Sequence, residues 1–312
     1  MGRGPQTSAA AVNAARDPLG YGLVAGSFVI VGLSGSLVSW ATAPSGVLLV
    51  MRLAIAALVL DLLFARREPL RAILHDGLWP RLLLMSAFDS AALLAYFFAI
   101  RTTGVAIATF LLFIQPVWVA LLAPRFLKTP TEKIVVVALG VALAGLLVIL
   151  GPALLGGGVS VSILGLAAGF GGGWCYAFFQ LIVKRLTQQV SSTTIVSCEC
   201  TLDALFVLPV ALWQTVGTGV RLDSRDLLAA LILGLVCTAL AYTMWVDGVG
   251  RIRVQHSSIL GFLTPAVAPA FAWLLLGQGV GLATALGGAL IVAAGLLVAV
   301  RGRAQGESAA TL

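Results

Sequence analysis

Long apolar stretches alternate with short polar connections along almost the whole chain. Each stretch is about 20 residues long, which is the length that a helix needs to cross about 30 Å of hydrocarbon. The stretches lie near residues 20–40, 46–64, 79–100, 104–123, 132–150, 163–183, 193–213, 226–247, 254–276 and 279–300. The pattern therefore predicts an all-α, polytopic membrane protein with ten transmembrane helices in one bundle.

Composition supports this prediction and excludes other classes. Apolar residues make up 60% of the 312 residues, charged residues make up 10%, and the mean hydropathy is +1.06. These values exclude a soluble enzyme, a disordered chain and a disulfide-stapled secreted module. A net charge of +7 would suggest nucleic-acid binding if the basic residues formed a patch, but they are scattered between the apolar stretches. We therefore expect a lipid bilayer and no nucleic acid as partner.

The basic residues predict the orientation in the membrane. With ten spans, 15 of the 19 Lys and Arg residues fall on the side of the N-terminus. Only Arg101, Arg221 and Arg225 fall on the other side, and Arg52 lies inside the second span. Because basic loops stay on the cytoplasmic side, we expect a multi-pass protein of the cytoplasmic membrane with both termini in the cytoplasm.

The two halves of the chain resemble each other. Residues 104–150 align with residues 253–300, so that Pro116 matches Pro265 and Gln115 matches Thr264. This predicts two five-helix repeats, at 20–150 and 163–300. Because five is odd, the second repeat would lie upside down relative to the first. Inverted repeats are typical of carriers that work by alternating access, with the substrate site near the midplane.

Two matched runs carry a resemblance to a known family, namely Phe113–Val117 in the fourth span and Phe262–Ala266 in the ninth. Together with Arg52 and the ten-span plan, they make residues 20–300 similar to the drug/metabolite transporter superfamily, specifically to its EamA-type permeases. The resemblance implies a basket-shaped bundle whose cavity is lined mainly by spans one, three, four, six, eight and nine. It also implies a metabolite or drug as cargo, without specifying which one.

Ionisable residues inside spans are costly in lipid and are therefore candidates for the site. Glu199 and Asp203 are four residues apart and share one helix face, so their charges would repel and favour a bound proton. We consider two roles for them: proton coupling or binding of a cationic group, and a structural ion pair with Arg52. For Asp89, a role in the cavity and a structural role are equally open. We expect His256, beside a short loop, to be solvated.

Aromatic and polar residues near mid-span extend the predicted site. An aromatic wall could stack on an apolar or cationic cargo, although lipid contact and core packing are alternatives. Gln115 and Thr264 lie beside the matched prolines and complete the predicted binding set. The wall comprises Tyr96, Trp118, Trp174, Tyr176 and Tyr242.

Candidate hinges come from residues that weaken a helix. Pro116 and Pro265 each remove one helical hydrogen bond at matched depths, and we expect the pivot there. The run Gly171, Gly172 and Gly173 lies mid-span and favours close packing combined with a hinge.

The leading hypothesis is a carrier that exports a small organic metabolite, either an amino-acid-like or drug-like zwitterion or a cation. A facilitative pore and a non-transporting scaffold are the alternatives. An intramembrane enzyme is least favoured, because neither H-E-x-x-H nor G-x-S-x-G occurs. No cofactor and no metal site are expected. Small residues on the fifth and tenth spans would allow two copies to touch, so a homodimer stays open.

Overall fold

The computed structural model describes residues 17–64, 77–103, 105–155, 162–216, 222–277 and 279–302. These residues form ten helical segments that are long and apolar enough to cross a membrane, and they contain no strand. The prediction of an all-α, ten-span membrane protein is confirmed.

The spans are numbered 1 to 10 in chain order, and four of them are built from more than one helix. The helices are Pro18–Gly32 and Ser34–Trp40 (span 1), Ser45–Phe64 (span 2), Trp79–Thr103 (span 3), Val105–Leu112 and Gln115–Phe126 (span 4), Lys133–Leu155 (span 5), Ile163–Leu186 (span 6) and Ser192–Thr215 (span 7), followed by Ser224–Ile232, Leu233–Leu240 and Ala241–Arg251 (span 8), Val254–Leu260 and Leu263–Leu276 (span 9), and Leu282–Arg301 (span 10).

Polar side chains define where several helices begin. Asp17, Ser162 and Ser191 each accept a hydrogen bond from a backbone N–H in the first turn of spans 1, 6 and 7. Asp223 and Asp226 form a reciprocal capping box at the start of span 8. Because the first N–H groups of a helix have no partner within it, these caps fix the register of the chain at the ends of the spans.

The spans pack in pairs that agree with the predicted repeats. Span 3 packs against span 6, and in the equivalent way span 8 packs against span 1. Span 2 packs against span 7, and span 5 packs against span 10. The rings of Phe113 and Phe262, which are equivalent in the alignment, meet with their centroids 5.8 Å apart. Two inverted repeats would produce this packing, and the division of the chain into repeats stays a prediction.

Spans 5 and 10 pack backbone to backbone. A Cβ atom added to Gly287 would lie 2.4 Å from the carbonyl oxygen of Gly145, and one added to Gly145 would lie 2.7 Å from that of Gly287. A side chain larger than hydrogen cannot be accommodated at either glycine without a shift of the backbone.

Spans 4 and 9 are both interrupted at the matched prolines. In span 4 the helix ends at Leu112 and resumes at Gln115, next to Pro116. In span 9 the helix ends at Leu260 and resumes at Leu263, two residues before Pro265. Proline lacks the N–H group that would continue the helix, so Pro116 and Pro265 each remove one helical hydrogen bond at the break. Movement at these breaks stays a prediction.

The glycine run in span 6 does not interrupt its helix, which continues from Ile163 to Leu186. A Cβ atom on Gly172 would lie 3.2 Å from the carbonyl oxygen of Ala92 in span 3, and one on Gly173 would lie 2.8 Å from that of Leu111 in span 4. Gly171 has open space around it. Two of the three glycines therefore allow close packing. The helix is not broken at Gly171, Gly172 and Gly173, where a hinge was expected.

Span 8 changes its winding midway. Residues Leu233–Leu240 form a π-helix, in which the hydroxyl of Thr238 donates to the carbonyl of Leu233 at 2.8 Å. Gly234, at its start, lies against Ile55 and the backbone of Arg52 in span 2. π-Helical segments often occur beside functional sites, and this one ends two residues before Tyr242, which lines a cavity inside the bundle.

Candidate functional site

A cavity of about 320 Å³ lies at the centre of the bundle. Its walls come from eight spans, so both predicted repeats contribute to it. The residues that line it are Phe28, Val31, Ser34, Gly35, Leu49, Arg52, Leu53, Asp89, Ala92, Leu93, Tyr96, Leu112, Phe113, Gln115, Tyr176, Glu199, Asp203, Tyr242, Gly261 and Thr264. The contributions of span 2 and span 7 go beyond the wall that the family resemblance implies.

Three carboxyl groups meet in this cavity. One oxygen from each of Asp89, Glu199 and Asp203 lies within 4.8 Å of the others. The hydroxyl of Ser90 donates to Asp203 Oδ1 at 3.0 Å, and Glu199 Oε2 is buried without a hydrogen-bond partner. The sequence predicted that Glu199 and Asp203 share a helix face, and the structure adds Asp89 from span 3. This group is called the acid cluster below.

Arg52 lines the same cavity as the acid cluster. Within the described residues, no carboxylate lies within 4 Å of its guanidinium, and its buried Nε has no hydrogen-bond partner. The structural ion pair considered from the sequence is therefore not formed. The cavity instead holds a positive and a negative group side by side, both facing the same space.

The remaining intramembrane acid lies elsewhere. Asp61, near the end of span 2, accepts a hydrogen bond from the hydroxyl of Ser197 in span 7. From the sequence, Asp61 is expected to pair with the nearby Arg66 or Arg67, and both of these residues lie outside the described residues. Asp61 does not line the cavity.

Three of the five predicted aromatic residues line the cavity: Tyr96, Tyr176 and Tyr242. They come from spans 3, 6 and 8. The Tyr96 hydroxyl lies 3.0 Å from the hydroxyl of Thr109, which ties span 3 to span 4. The tyrosine rings thus provide a partly apolar wall around the charged groups.

The structure places Trp174 and Trp118 outside this wall, which corrects the expectation. Trp174 is 39% exposed and packs on Phe88 and Phe178. It is two residues from Tyr176 and therefore about 200° away around the helix, so both rings cannot face one cavity. Trp118 contacts the edge of Phe170, with the centroids 5.2 Å apart.

The residues beside the helix breaks do line the cavity. Gln115 is buried, and its Oε1 has no hydrogen-bond partner. Thr264 donates its hydroxyl to the carbonyl oxygen of Phe28 at 3.1 Å, which joins span 9 to span 1. The family resemblance implies that span 1 lines the cavity, but the sequence did not indicate which of its residues do so. The structure supplies Phe28, Val31, Ser34 and Gly35.

One end of the bundle is closed by buried polar residues. The described chain begins and ends at this end, which is called the terminal face. Here the Tyr21 hydroxyl lies 2.5 Å from His256 Nδ1, and Glu132 Oε1 lies 3.2 Å from both His256 Nε2 and Arg253 Nη1. His256 is completely buried, so the expectation that it is solvated was wrong. The short loop next to it is covered by spans 1, 5 and 10.

Lys184 joins spans 6 and 8 at the same face. Its Nζ donates to the carbonyl oxygens of Val249, Gly250 and Ile252, at 2.5, 3.1 and 2.7 Å. Cationic groups are favourable at the carbonyl end of a helix. Tyr21, Glu132, Lys184, Arg253 and His256 are together called the terminal seal.

The equivalent elements of the two halves differ in burial. Every residue of Val254–Leu260 in span 9 is buried. Of the aligned residues 107–111 in span 4, only Ala108 is buried. On the side away from the terminal face, the cavity lining extends to Ser34 and the exposed Gly35 of span 1. The bundle is thus sealed at the terminal face, and its cavity extends toward the opposite face.

Comparison with known proteins agrees with this architecture. The model of the EamA-like transporter family matches the chain twice, at residues 18–151 and 163–300. The chain belongs to the EamA-like transporter family. This EamA-like chain is therefore a multi-pass membrane transporter, as the resemblance in the sequence predicted.

Relatives of the EamA-like chain carry general names. An uncharacterized transporter of Archaeoglobus fulgidus is 28% identical over 221 residues, which cover 70% of this chain and 76% of that protein. The permease-like protein YdzE of Bacillus subtilis is 32% identical over 68 residues, covering 22% of this chain and 87% of that protein. A solved crystal structure shares the fold with a TM-score of 0.74 at 18% identity, over 90% of this chain and 98% of the other.

Proposed function

We propose that this transporter carries a small zwitterionic or cationic organic metabolite by alternating access. The observation that carries the proposal is the cavity itself, in which the acid cluster, Arg52 and three tyrosines face one space. A volume of about 320 Å³ is at the lower end of the range for small-molecule sites, so the cargo is small.

The charges of the cavity favour a cargo with both signs. An ammonium group would bind at the acid cluster, and a carboxylate would bind at the guanidinium of Arg52. The faces of Tyr96, Tyr176 and Tyr242 would contact the apolar part of the cargo or add cation–π attraction. A phosphorylated sugar fits less well, because its phosphate would meet three carboxyl groups.

The acid cluster also supports coupling to protons. Three carboxylates within 4.8 Å of one another, away from bulk water, repel strongly unless at least one is protonated. An arriving ammonium group would replace that proton, so binding of cargo and binding of proton would exclude each other. Exchange of this kind would link cargo movement in one direction to proton movement in the other.

The closed terminal face supports alternating access rather than an open pore. With this end sealed, the cavity would release cargo toward the opposite face. If the terminal face is cytoplasmic, as the basic residues predict, this direction is export. In the other state, the two halves would exchange conformations, with the breaks at Pro116 and Pro265 as pivots.

Reconstituted protein in liposomes, assayed with a panel of radiolabelled amino acids, amines and phosphorylated sugars, tests the proposal. We expect uptake of a zwitterion or amine, reduced at least tenfold in Asp203→Asn. Asp247→Asn serves as the matched control, because Asp247 is an exposed acid at the terminal face and pairs only with Arg251 in the described structure. Equal uptake by both variants would contradict the assignment of the cavity.

Two further measurements separate the parts of the proposal. Uptake that does not respond to an imposed pH gradient would remove the coupling role of the acid cluster while leaving the carrier intact. Single-channel currents from the reconstituted protein would contradict the carrier and favour the pore.

A further inference from the structure

A second cavity lies at the terminal face, outside the central site. It encloses about 290 Å³ between the end of span 4, the end of span 6 and the start of span 9. Four of its lining residues are basic and none is acidic. The lining consists of Phe126, Leu127, Lys128, Thr129, Lys184, Arg185, Gln188, Arg253 and Val254. This cavity is called the basic groove.

The basic groove has two exposed cations at its mouth. Neither Lys128 nor Arg185 has a carboxylate within 4 Å in the part of the chain that the structure describes. Arg185 is held in place, because its Nη2 donates to the carbonyl oxygen of Phe126 and its guanidinium lies 5.9 Å over the Phe126 ring. Like charges gathered without an acid repel each other, and a bound anion would relieve that repulsion.

The back of the groove is formed by buried basic residues of the terminal seal. Lys184 and Arg253 are each only 4% exposed. Arg253 contacts Glu132, and Lys184 donates to carbonyl oxygens of span 8 and the residue that follows it. Because these partners fix both side chains, the inner wall of the groove is preorganised.

The backbone at Lys128 is also unusual. Lys128 has a φ angle of +55°, and it is the only residue other than glycine with positive φ among those described. This conformation is unfavourable for a residue with a Cβ atom, and such residues are often found at functional positions. Here it turns the chain sharply after span 4, next to the mouth of the groove.

We propose that the basic groove binds the phosphate group of an anionic phospholipid. Arginine and lysine together are the usual ligands of a phosphate, and basic pockets between helices at a membrane surface recognise lipid headgroups. The groove lies where spans 4 and 6 end, at the level of headgroups. Phe126, which is 36% exposed, provides an apolar surface beside it for the glycerol and acyl part of the lipid.

Purified full-length protein in nanodiscs tests the proposal. The unfolding temperature is measured in phosphatidylcholine alone and with 20% phosphatidylglycerol, for the wild type and for Lys128→Gln/Arg185→Gln. Arg101→Gln/Arg225→Gln is the matched control, since it removes two exposed positive charges from the opposite face. We expect phosphatidylglycerol to raise the unfolding temperature of the wild type and of the control by several degrees. The increase in the groove variant should be less than a third of the increase in the wild type.

Native mass spectrometry provides an independent readout that does not depend on how stable a variant is. We expect one tightly retained phosphatidylglycerol per chain to disappear selectively in the groove variant. Retention and stabilisation that are equal in the groove variant and the control would overturn the proposal. Inorganic phosphate in phosphatidylcholine nanodiscs is the last arm. If inorganic phosphate raised the unfolding temperature of the wild type but not of the groove variant, and phosphatidylglycerol had no such effect, the groove would bind a soluble anion. That result would overturn the lipid assignment.

Discussion

Replacing Lys184 by methionine is expected to loosen the terminal seal. Methionine has a similar length but cannot donate the three hydrogen bonds that Nζ makes to the end of span 8, at 2.5, 2.7 and 3.1 Å. A hydrogen bond from a charged donor contributes about 1.5–3 kcal/mol. Burial of the ammonium group costs several kcal/mol and offsets most of that gain.

The net loss is therefore about 2 kcal/mol. In the alternating-access proposal spans 6 and 8 separate when the terminal face opens, so the loss would apply to the closed state and not to the open state. A shift of about 2 kcal/mol changes the ratio of the two states about 30-fold.

Cysteine labelling measures this ratio. Ser258 is 1% exposed in the sealed half of span 9, so a cysteine there reacts with a maleimide only when the seal opens. In a background without the four native cysteines, we expect Lys184→Met to label about 30 times faster than its parent. Lys133→Met is the matched control, because Lys133 is an exposed lysine at the same face. An unchanged labelling rate in Lys184→Met, with normal folding, would refute the role of Lys184 in the seal.

Three other predictions each test a single feature of the structure. In the uptake assay, Trp174→Ala should keep transport, because the Trp174 ring lies outside the cavity. Tyr176→Ala should lower transport at least fivefold, because Tyr176 lines the cavity. Loss of transport in both variants would contradict this placement. Gly287→Ala should destabilise the protein by about 1–3 kcal/mol in thermal unfolding, since the added Cβ would lie 2.4 Å from a backbone oxygen. Gly140 has open space around it, so Gly140→Ala should be neutral or stabilising in the same assay. Asp226→Asn should cost about 1–2 kcal/mol, because the Asp226 carboxylate accepts hydrogen bonds from the backbone N–H groups of Thr42, Ala43 and Asp223. An unchanged melting temperature would argue against a stabilising role for these bonds.

Much of the architecture follows from the sequence because lipid leaves the backbone few choices. An apolar stretch of span length must be a helix, so the ten spans were predictable from the chain alone. The lost hydrogen bonds in spans 4 and 9 were predictable as well, since Pro116 and Pro265 lack an N–H group. That the helices end there was not, because Pro124 and Pro269 lie inside continuous helices of the same spans.

The site was harder to predict, because it depends on how each helix is rotated. Glu199 and Asp203 share a face by their spacing alone, but only the packing of span 3 against span 7 brings Asp89 to them. Trp174 was misplaced because a mid-span position says nothing about which side the ring faces. His256 was misplaced because its burial depends on distant residues, Tyr21 and Glu132, that close over a polar loop.

The contact between Gly145 and Gly287 has a consequence for how the molecule can work. Two backbones that touch without intervening side chains have nothing flexible to rearrange, so spans 5 and 10 have little freedom to slide past each other. They would act as a fixed scaffold, against which the other eight spans tilt. A covalent cross-link placed along this scaffold should be harmless to turnover, whereas the same link between spans 6 and 8 should arrest it.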